Sequence, residues 1–442
     1  MLFSIIIPTR NRPEYLVGAV RSALDQIDAG DVEVIVFDNA STLPASSVLA
    51  GMADPRLTIV RSEESLAMRD SWEKSLSLAK GDYVTVLGDD DALLPSAVKV
   101  GRSIISKHDV AILRWDRAQY YWPAYINPAL ENLCTIPLGK TLFKVDGHWL
   151  LGQIGKLNLP YSVTPMVSNS WIRRDLIAKA KEKNGRFFQT ASPDVDSGFV
   201  LAFTARWFHC LNFPLSICAQ SSSSNGAQVA QGFFVQNNES KKNAQALSAA
   251  KDFHKLNEQA SIILDKNAVQ TMWASITTSF TQLADIYEMP RETFELDTIK
   301  VIERVLTDEY PLMNADLRSA YLQELKEKLA GQPKQLQRLM KMVAGQTEAS
   351  FEKVALKARS RPRLGFDEYR KMLLLDCSQF SVSTSFDAAK LINNMLNLEA
   401  EEIPLVQDVH PKAWHQHCKD LLYKVIRLRD VNFRVSAYRA GL

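Results

Sequence analysis

The sequence predicts an α/β fold: a mostly parallel sheet flanked by helices in the first half, followed by a mainly α-helical C-terminal region. Three observations carry this. Short apolar runs alternate with helix-period stretches over residues 1–113, the pattern of a parallel sheet covered on both faces. Helix boundaries are marked between the runs, with Pro13 at a start and Lys80 and Gly81 at a stop. Beyond residue 225 the composition turns to Ala, Leu, Lys, Gln and Glu with few prolines, residues that favour helix.

In chain order, residues 3–7 form a β-branched strand ended by Pro8. Pro13 then opens a helix at the one turn where a missing N–H does no harm, and Leu16, Ala19, Val20, Ala23 and Leu24 recur on one face. Residues 32–37 and 57–60 read as the second and third strands, 71–79 as a helix, 83–87 as the fourth strand and 110–113 as a fifth. From 115 to 220 the pattern is less regular and rich in aromatics; Tyr120, Tyr121 and Trp122 suit either core packing or stacking on sugar faces. The small polar run 220–227 reads as a boundary, and 343–350 and 358–365 read as linkers. The resulting division is 1–225, a helical segment 226–345 and a helical segment 346–442.

A chain of 442 residues predicts two or three domains. A net charge of +2 gives no basis for nucleic-acid binding. Five cysteines without a CxxC pair fit a reducing compartment. The start has only a short apolar run, and no stretch approaches the roughly 20 apolar residues of a membrane span. The expected location is therefore cytoplasmic, with or without contact to the membrane face. The tail mixes Lys424, Arg427, Arg429, Arg434 and Arg439 with Leu421, Leu422, Val425, Ile426 and Phe433. That pattern suits a helix lying on an anionic membrane surface, or a packing helix with a basic outer face. His415, His417 and Cys418 do not make a zinc site, because positions i and i+2 do not share a helix face and no second ligand pair follows. Neither a P-loop nor a dinucleotide fingerprint is present. Self-association stays open.

In parallel sheets, ligands bind beyond the carboxyl ends of the strands. The residues there are Pro8, Thr9, Arg10 and Asn11 after the first strand, Asp38 and Asn39 after the second, and Asp89, Asp90 and Asp91 after the fourth. Adjacent carboxylates repel one another. A hard divalent cation offsets the repulsion, and Mg²⁺ takes one or two protein carboxylates while leaving positions for phosphate oxygens. A solvated turn is the other reading of the triplet.

Four segments in order, "FSIIIPTRNRPEYL", "VEVIVFDNAST", "SLAMRDSWEKSLSLAKGDYVTVLGDDDALLP" and "SPDVDSGFVLAF", resemble the inverting glycosyltransferases of family 2, which have the GT-A fold. The resemblance covers residues 1 to 225. It implies a Mn²⁺ or Mg²⁺ cofactor and transfer of a sugar from a nucleotide-diphosphate donor, a UDP-sugar, to a glycan or lipid-linked glycan in surface polysaccharide biosynthesis. By the same resemblance Asp38 would accept from the N–H of a uracil-like base. Pro8, Thr9 and Asn11 would line that pocket, with Arg10 or Arg12 near it, and Arg69 would sit near the nucleotide. Counting back from Pro95 places Asp90 at the metal-ligand position. Asp89 would face ribose or metal, and Asp91 would support the metal or cap the next helix. Gly88 stands where many relatives have the first Asp. Asp194 is the expected catalytic base and Asp196 its near alternative, although both acids could cap the helix that follows. Residues 168–170 would fall on an acceptor-side strand. The rival reading is a non-catalytic scaffold whose helical half binds a partner, which Gly88 favours.

Overall fold

The computed structural model describes residues 1–28, 30–125, 128–190, 192–222, 272–310, 315–344, 363–367, 372–396 and 405–406. Four strands open the chain: β1 (Phe3–Thr9), β2 (Val32–Asp38), β3 (Leu57–Arg61) and β4 (Tyr83–Val86). They pair in parallel in the order β3-β2-β1-β4. The pleat of β1 explains its unbroken apolar run. Phe3, Ile5 and Ile7 enter the core on one face and Ile6 enters the core on the other.

Helices cover both faces. On one side lie α1 (Pro13–Leu24) and, after α2 (Ala45–Val48) and α3 (Met68–Ser77), α4 (Ala97–His108). Pro13 occupies the first turn of α1, which buries Leu16, Ala19, Val20 and Ala23 as the period predicts. Arg12 stands at the N-cap position but makes no side-chain cap bond, because its guanidinium is directed to the strand ends.

Beyond β4 the pairing changes direction. After β5 (Ala92–Leu93) come β6 (Ile112–Tyr121), β7 (Leu133–Pro137), β8 (Leu142–Asp146), β9 (Ser170–Arg173) and β10 (Trp207–Gln220). β9 pairs antiparallel with β4 and β6, whereas β10 runs parallel to β6 and antiparallel to β5 and β8. The α/β class and flanking helices are as expected; parallel pairing joins β1–β4 and returns between β6 and β10, with antiparallel pairs between them. Helices α5 (Gly147–Gly155), α6 (Arg174–Lys181) and α7 (Pro193–Ala205) lie between these later strands in the chain.

A helical unit follows: α8 (Met272–Ile286), α9 (Arg291–Phe294), α10 (Thr298–Arg304), α11 (Ala315–Lys328) and α12 (Pro333–Ala344). It has its own core of Val301, Ile302, Leu306, Tyr321, Leu325 and Leu339. It docks on the first half through Phe280 edge-on to Phe199 at 5.2 Å and through the Tyr287 hydroxyl, which donates to the Ala180 carbonyl at 2.9 Å.

The segment expected to be helical from 346 onward needs correction. β11 (Gly365–Asp367) and β12 (Met372–Asp376) extend the same sheet through antiparallel pairing of β12 with β7, while β13 (Leu405–Val406) pairs with β8. The run "MLLLD" is Leu-rich, and too short for its periodicity to separate buried strand from helix. Helix α13 (Ser385–Leu396) then packs against α1. The expected boundary at 225 and linker at 358–365 lie almost wholly outside the described residues. The basic tail and the His415, His417 and Cys418 group lie outside them entirely. Among the described residues, no helix is long and apolar enough to cross a membrane.

Candidate active site

The strand order creates the crevice. From β1 the chain moves outward through β2 and β3, then returns to add β4 on the other side of β1. The turns leaving the adjacent strands β1 and β4 sit side by side, and the crevice at their carboxyl ends is where open α/β sheets bind ligands. Thr9 and Asp89 meet across it, with the Thr9 hydroxyl donating to Asp89 Oδ2 at 2.8 Å.

Arg12 closes the same gap. Its Nη1 donates to Asp89 Oδ1 at 2.6 Å and its Nη2 to Asp90 Oδ2 at 2.6 Å. Nη2 also donates to Ser221 Oγ at 2.7 Å, and that hydroxyl donates to Asp90 Oδ2 at 2.8 Å. The Trp122 indole N–H fixes the Asp90 carbonyl at 3.2 Å. Asp89 is 4% exposed and Asp90 7%, so this charge is held in a largely dry site. Burial pushes the Asp89 carboxyl up to about 6, opposed by Arg12. Burial would lower the Arg12 guanidinium, but the two aspartates raise it on balance, so it stays charged.

Asp91 does not join this pair. Its Oδ1 accepts the Ala219 N–H at 2.7 Å, and burial followed by the Asp90 charge pushes its carboxyl up to about 7. Nor does it cap a helix, because α4 begins at Ala97 with Ser96 in the cap position. In this arrangement Asp91 pins β10 to the strand-end turn. This also accounts for Gly88. A Cβ there would lie 2.7 Å from Asp91 Oδ2, so the residue that departs from the family pattern makes room for its neighbour's carboxylate. Gly88→Ala should cost about 1–3 kcal/mol in thermal or chemical unfolding, because the Asp91 carboxylate must shift and strain its bond to the Ala219 N–H.

Asn11 adopts a left-handed backbone at φ 55. Its N–H donates to Ser41 Oγ at 2.9 Å and its side-chain carbonyl accepts from the Thr42 N–H at 2.6 Å. Asp38 is fully buried and already engaged: it accepts from the Ser41 N–H at 2.8 Å, the Ala45 N–H at 3.0 Å and Arg61 at 2.5 Å. Burial alone would raise its carboxyl, but the Ala45 and Ser41 bonds and Arg61 hold it below the usual range. Here Asp38 shapes the 38–45 turn and draws Arg61 to a cleft of about 510 Å³ lined by Phe37, Arg61, Ser62, Glu63, Glu64 and Lys74. Pro8 and Arg10 are half-buried beside the same turn. Arg69 donates to the Gln189 carbonyl at 3.3 Å, on the loop before α7.

Asp194 and Asp196 both lie in the first turn of α7, with different surroundings. Asp196 is fully buried and accepts from the Gln189 N–H at 2.8 Å, the Thr190 N–H and the Thr190 hydroxyl at 2.6 Å. It is a brace for the 187–190 loop, and burial pushes it up to about 6. Asp194 is half-exposed, and its carboxyl is raised by burial against the opposing pull of the Val195 N–H and Arg117. Arg117, on β6, feels both Asp91 and Asp194, so one guanidinium links the triplet to the expected base. Sequence reasoning did not assign Arg117, Ser221 or Arg61, and gave Trp122 only as a core or sugar-stacking residue. Tyr120, Tyr121 and Trp122 are buried in the core, and Asn169 and Ser170 are buried too, so none of them forms an open sugar platform.

Among the described residues, no three His, Cys, Asp or Glu side chains are arranged to hold a metal ion. Two carboxylates suffice for Mg²⁺ when phosphate and water fill its other positions. Asp89 and Asp90 supply hard oxygens that already converge on one cationic group, so their chemistry fits Mn²⁺ or Mg²⁺.

The chain is similar to several named glycosyltransferases. One is a putative colanic acid biosynthesis glycosyl transferase from Escherichia coli, 31% identical over 101 residues, covering 22% of this chain and 36% of that protein. The glycosyltransferase GlyG of Streptococcus pneumoniae is 25% identical over 196 residues, covering 42% and 62%. An abequosyltransferase of Salmonella typhimurium is 34% identical over 104 residues, covering 23% and 31%. The match therefore spans less than two thirds of each of these relatives. Among solved structures, that of S. aureus TarS 1–349 in complex with UDP-GlcNAc overlaps with a TM-score of 0.42 at 13% identity, covering 89% of this chain and 92% of that one. Residues 4–157 match the family model described as glycosyl transferase family 2.

Proposed function

We propose that the sheet domain catalyses inverting transfer of a sugar from a nucleotide-diphosphate donor, a UDP-sugar, to a hydroxyl of a glycan or lipid-linked glycan, in the assembly of a surface polysaccharide. The observation that carries this reading is the contrast between two acids on one helix turn. Asp196 is consumed by the loop it braces, whereas Asp194 stays partly exposed, and Arg117 on β6 feels the charges of both Asp194 and Asp91. A base must stand within reach of the acceptor hydroxyl on the side opposite the leaving group. Relatives named for colanic acid, succinoglycan and abequosyl transfer support the polysaccharide context, and one named as acting on an undecaprenol-linked glycan supports the acceptor class.

A divalent cation held by Asp89 and Asp90 would neutralise charge on the departing diphosphate. Thr9 orients Asp89 toward that position, and the Trp122 indole fixes the Asp90 backbone beneath it. Asp194 takes the acceptor proton, and Arg117 opposes the rise in its pKa that burial causes.

The test is nucleoside-diphosphate release from a panel of nucleotide sugars with Mn²⁺ or Mg²⁺, with the product's anomeric configuration read by proton NMR. Turnover with inversion is expected. No turnover with any donor, equal turnover in Asp90→Ala, or retention of configuration would sink the reading. The pH dependence follows from the raised Asp194 carboxyl. The base works ionised, so kcat should rise with pH through that group's pKa, placing the acid limb above the ordinary Asp value of about 3.9. A limb at or below that value would contradict the assignment.

A further inference from the structure

We propose that Arg12 and a divalent cation are alternative occupants of the Asp89–Asp90 pair, and that diphosphate binding moves Arg12 from one role to the other. This rests on reading that pair as the metal and diphosphate site. The guanidinium fork spans both carboxylates at 2.6 Å each and is closed from behind by Ser221, with the Tyr15 ring 5.0 Å from its carbon. Its place is therefore the position from which two adjacent carboxylates would hold a cation. Two carboxylates and one guanidinium sum to one negative charge. A divalent ion added without displacing Arg12 would set two cations against the same oxygens in a nearly dry site.

Arg12 cannot leave far, because it sits at the cap of α1, directly after the β1 turn. Released from the aspartates, its planar fork is matched to phosphate oxygens. Diphosphate thus offers Arg12 a new partner at the moment the cation takes the carboxylates. The consequence is positive coupling: each ligand tightens the other by the same factor. Without diphosphate, the protein is its own counter-ion and binds free metal weakly.

The test measures Mn²⁺ binding calorimetrically to the full chain, with and without UDP, in wild type, Arg12→Gln, Arg12→Lys and Arg117→Gln. Arg12→Gln should bind Mn²⁺ alone at least tenfold more tightly than wild type and lose most of the coupling to UDP. Arg12→Lys keeps the charge but cannot bridge both carboxylates, and should fall between them. It serves as the test if thermal melting shows that Arg12→Gln does not fold. Arg117→Gln removes a nearby positive charge that feels Asp91, and should change Mn²⁺ affinity less than threefold. Equal Mn²⁺ affinity in wild type and the folded Arg12 variants would overturn the proposal alone, as would equal tightening by Arg117→Gln. No Mn²⁺ binding to any form, with or without UDP, would overturn it together with the metal reading.

Discussion

Asp194→Asn is expected to lower kcat by about 10²–10⁴-fold while leaving donor binding and stability close to wild type. Asparagine keeps the shape and the acceptor oxygen that faces the Val195 N–H, but it cannot take a proton. The carboxyl is already raised by burial, so replacing it with a neutral amide removes a desolvation cost and should not unfold the helix start. Asp196→Asn gives the contrast. Its amide oxygen can still take both the Gln189 and Thr190 N–H groups, but its NH2 would face the Thr190 hydroxyl, which now donates to Oδ1 and would have to reverse, so its first effect is on stability. Steady-state kinetics with UDP binding measured in parallel checks both. A kcat for Asp194→Asn within tenfold of wild type, or a larger kcat loss from a fully folded Asp196→Asn, would move the base role off Asp194.

The largest expected stability effect lies beneath the site, on β6. Arg114 and Asp116 are 4% and 3% exposed and bond directly to each other, while Arg114 also donates to Cys210 Sγ at 3.0 Å and the Ser162 carbonyl at 3.2 Å. Asp116→Ala leaves a guanidinium in the core with its main counter-charge removed. Losing one partner of such a pair costs about 3–5 kcal/mol. Urea unfolding followed by tryptophan fluorescence reports it, because Trp115 and Trp171 sit in the adjoining core. Replacing both residues with apolar side chains of similar volume should recover most of the loss, since the pair also carries the desolvation of two charges. A loss below about 1 kcal/mol for the single variant would show that water reaches Arg114.

The parallel quarter was legible because strands covered on both faces are mostly apolar, as β1, β2 and β4 are, with Ser4, Glu33 and Thr85 the interior exceptions. The later strands were not, because antiparallel returns in an aromatic-rich stretch follow no helix-strand alternation. The triplet announced the site but not its arrangement. Arg12 lies 77 positions from Asp89, and no spacing rule ties a residue at one loop to a carboxylate at another. Ser221 was hidden in a run of serines that reads as a boundary. The sequence showed Asp194 and Asp196 as equals apart from the family pattern. They separate only when the 187–190 loop folds back on Asp196.

The C-terminal additions to the sheet impose an order of assembly. Arg363 donates to the Ala129 carbonyl across 234 positions of chain, and the Ser385 hydroxyl donates to the Asp91 carbonyl across 294. A strand-end turn that carries the triplet is thus buttressed by residues synthesised long after it leaves the ribosome. Closing loops of that span is entropically slow. Until then β7 presents an unpaired edge, open to mispairing with other chains. The nascent protein should need a holding chaperone through this interval, and a fragment ending near residue 345 would keep the triplet yet never pass beyond that exposed state.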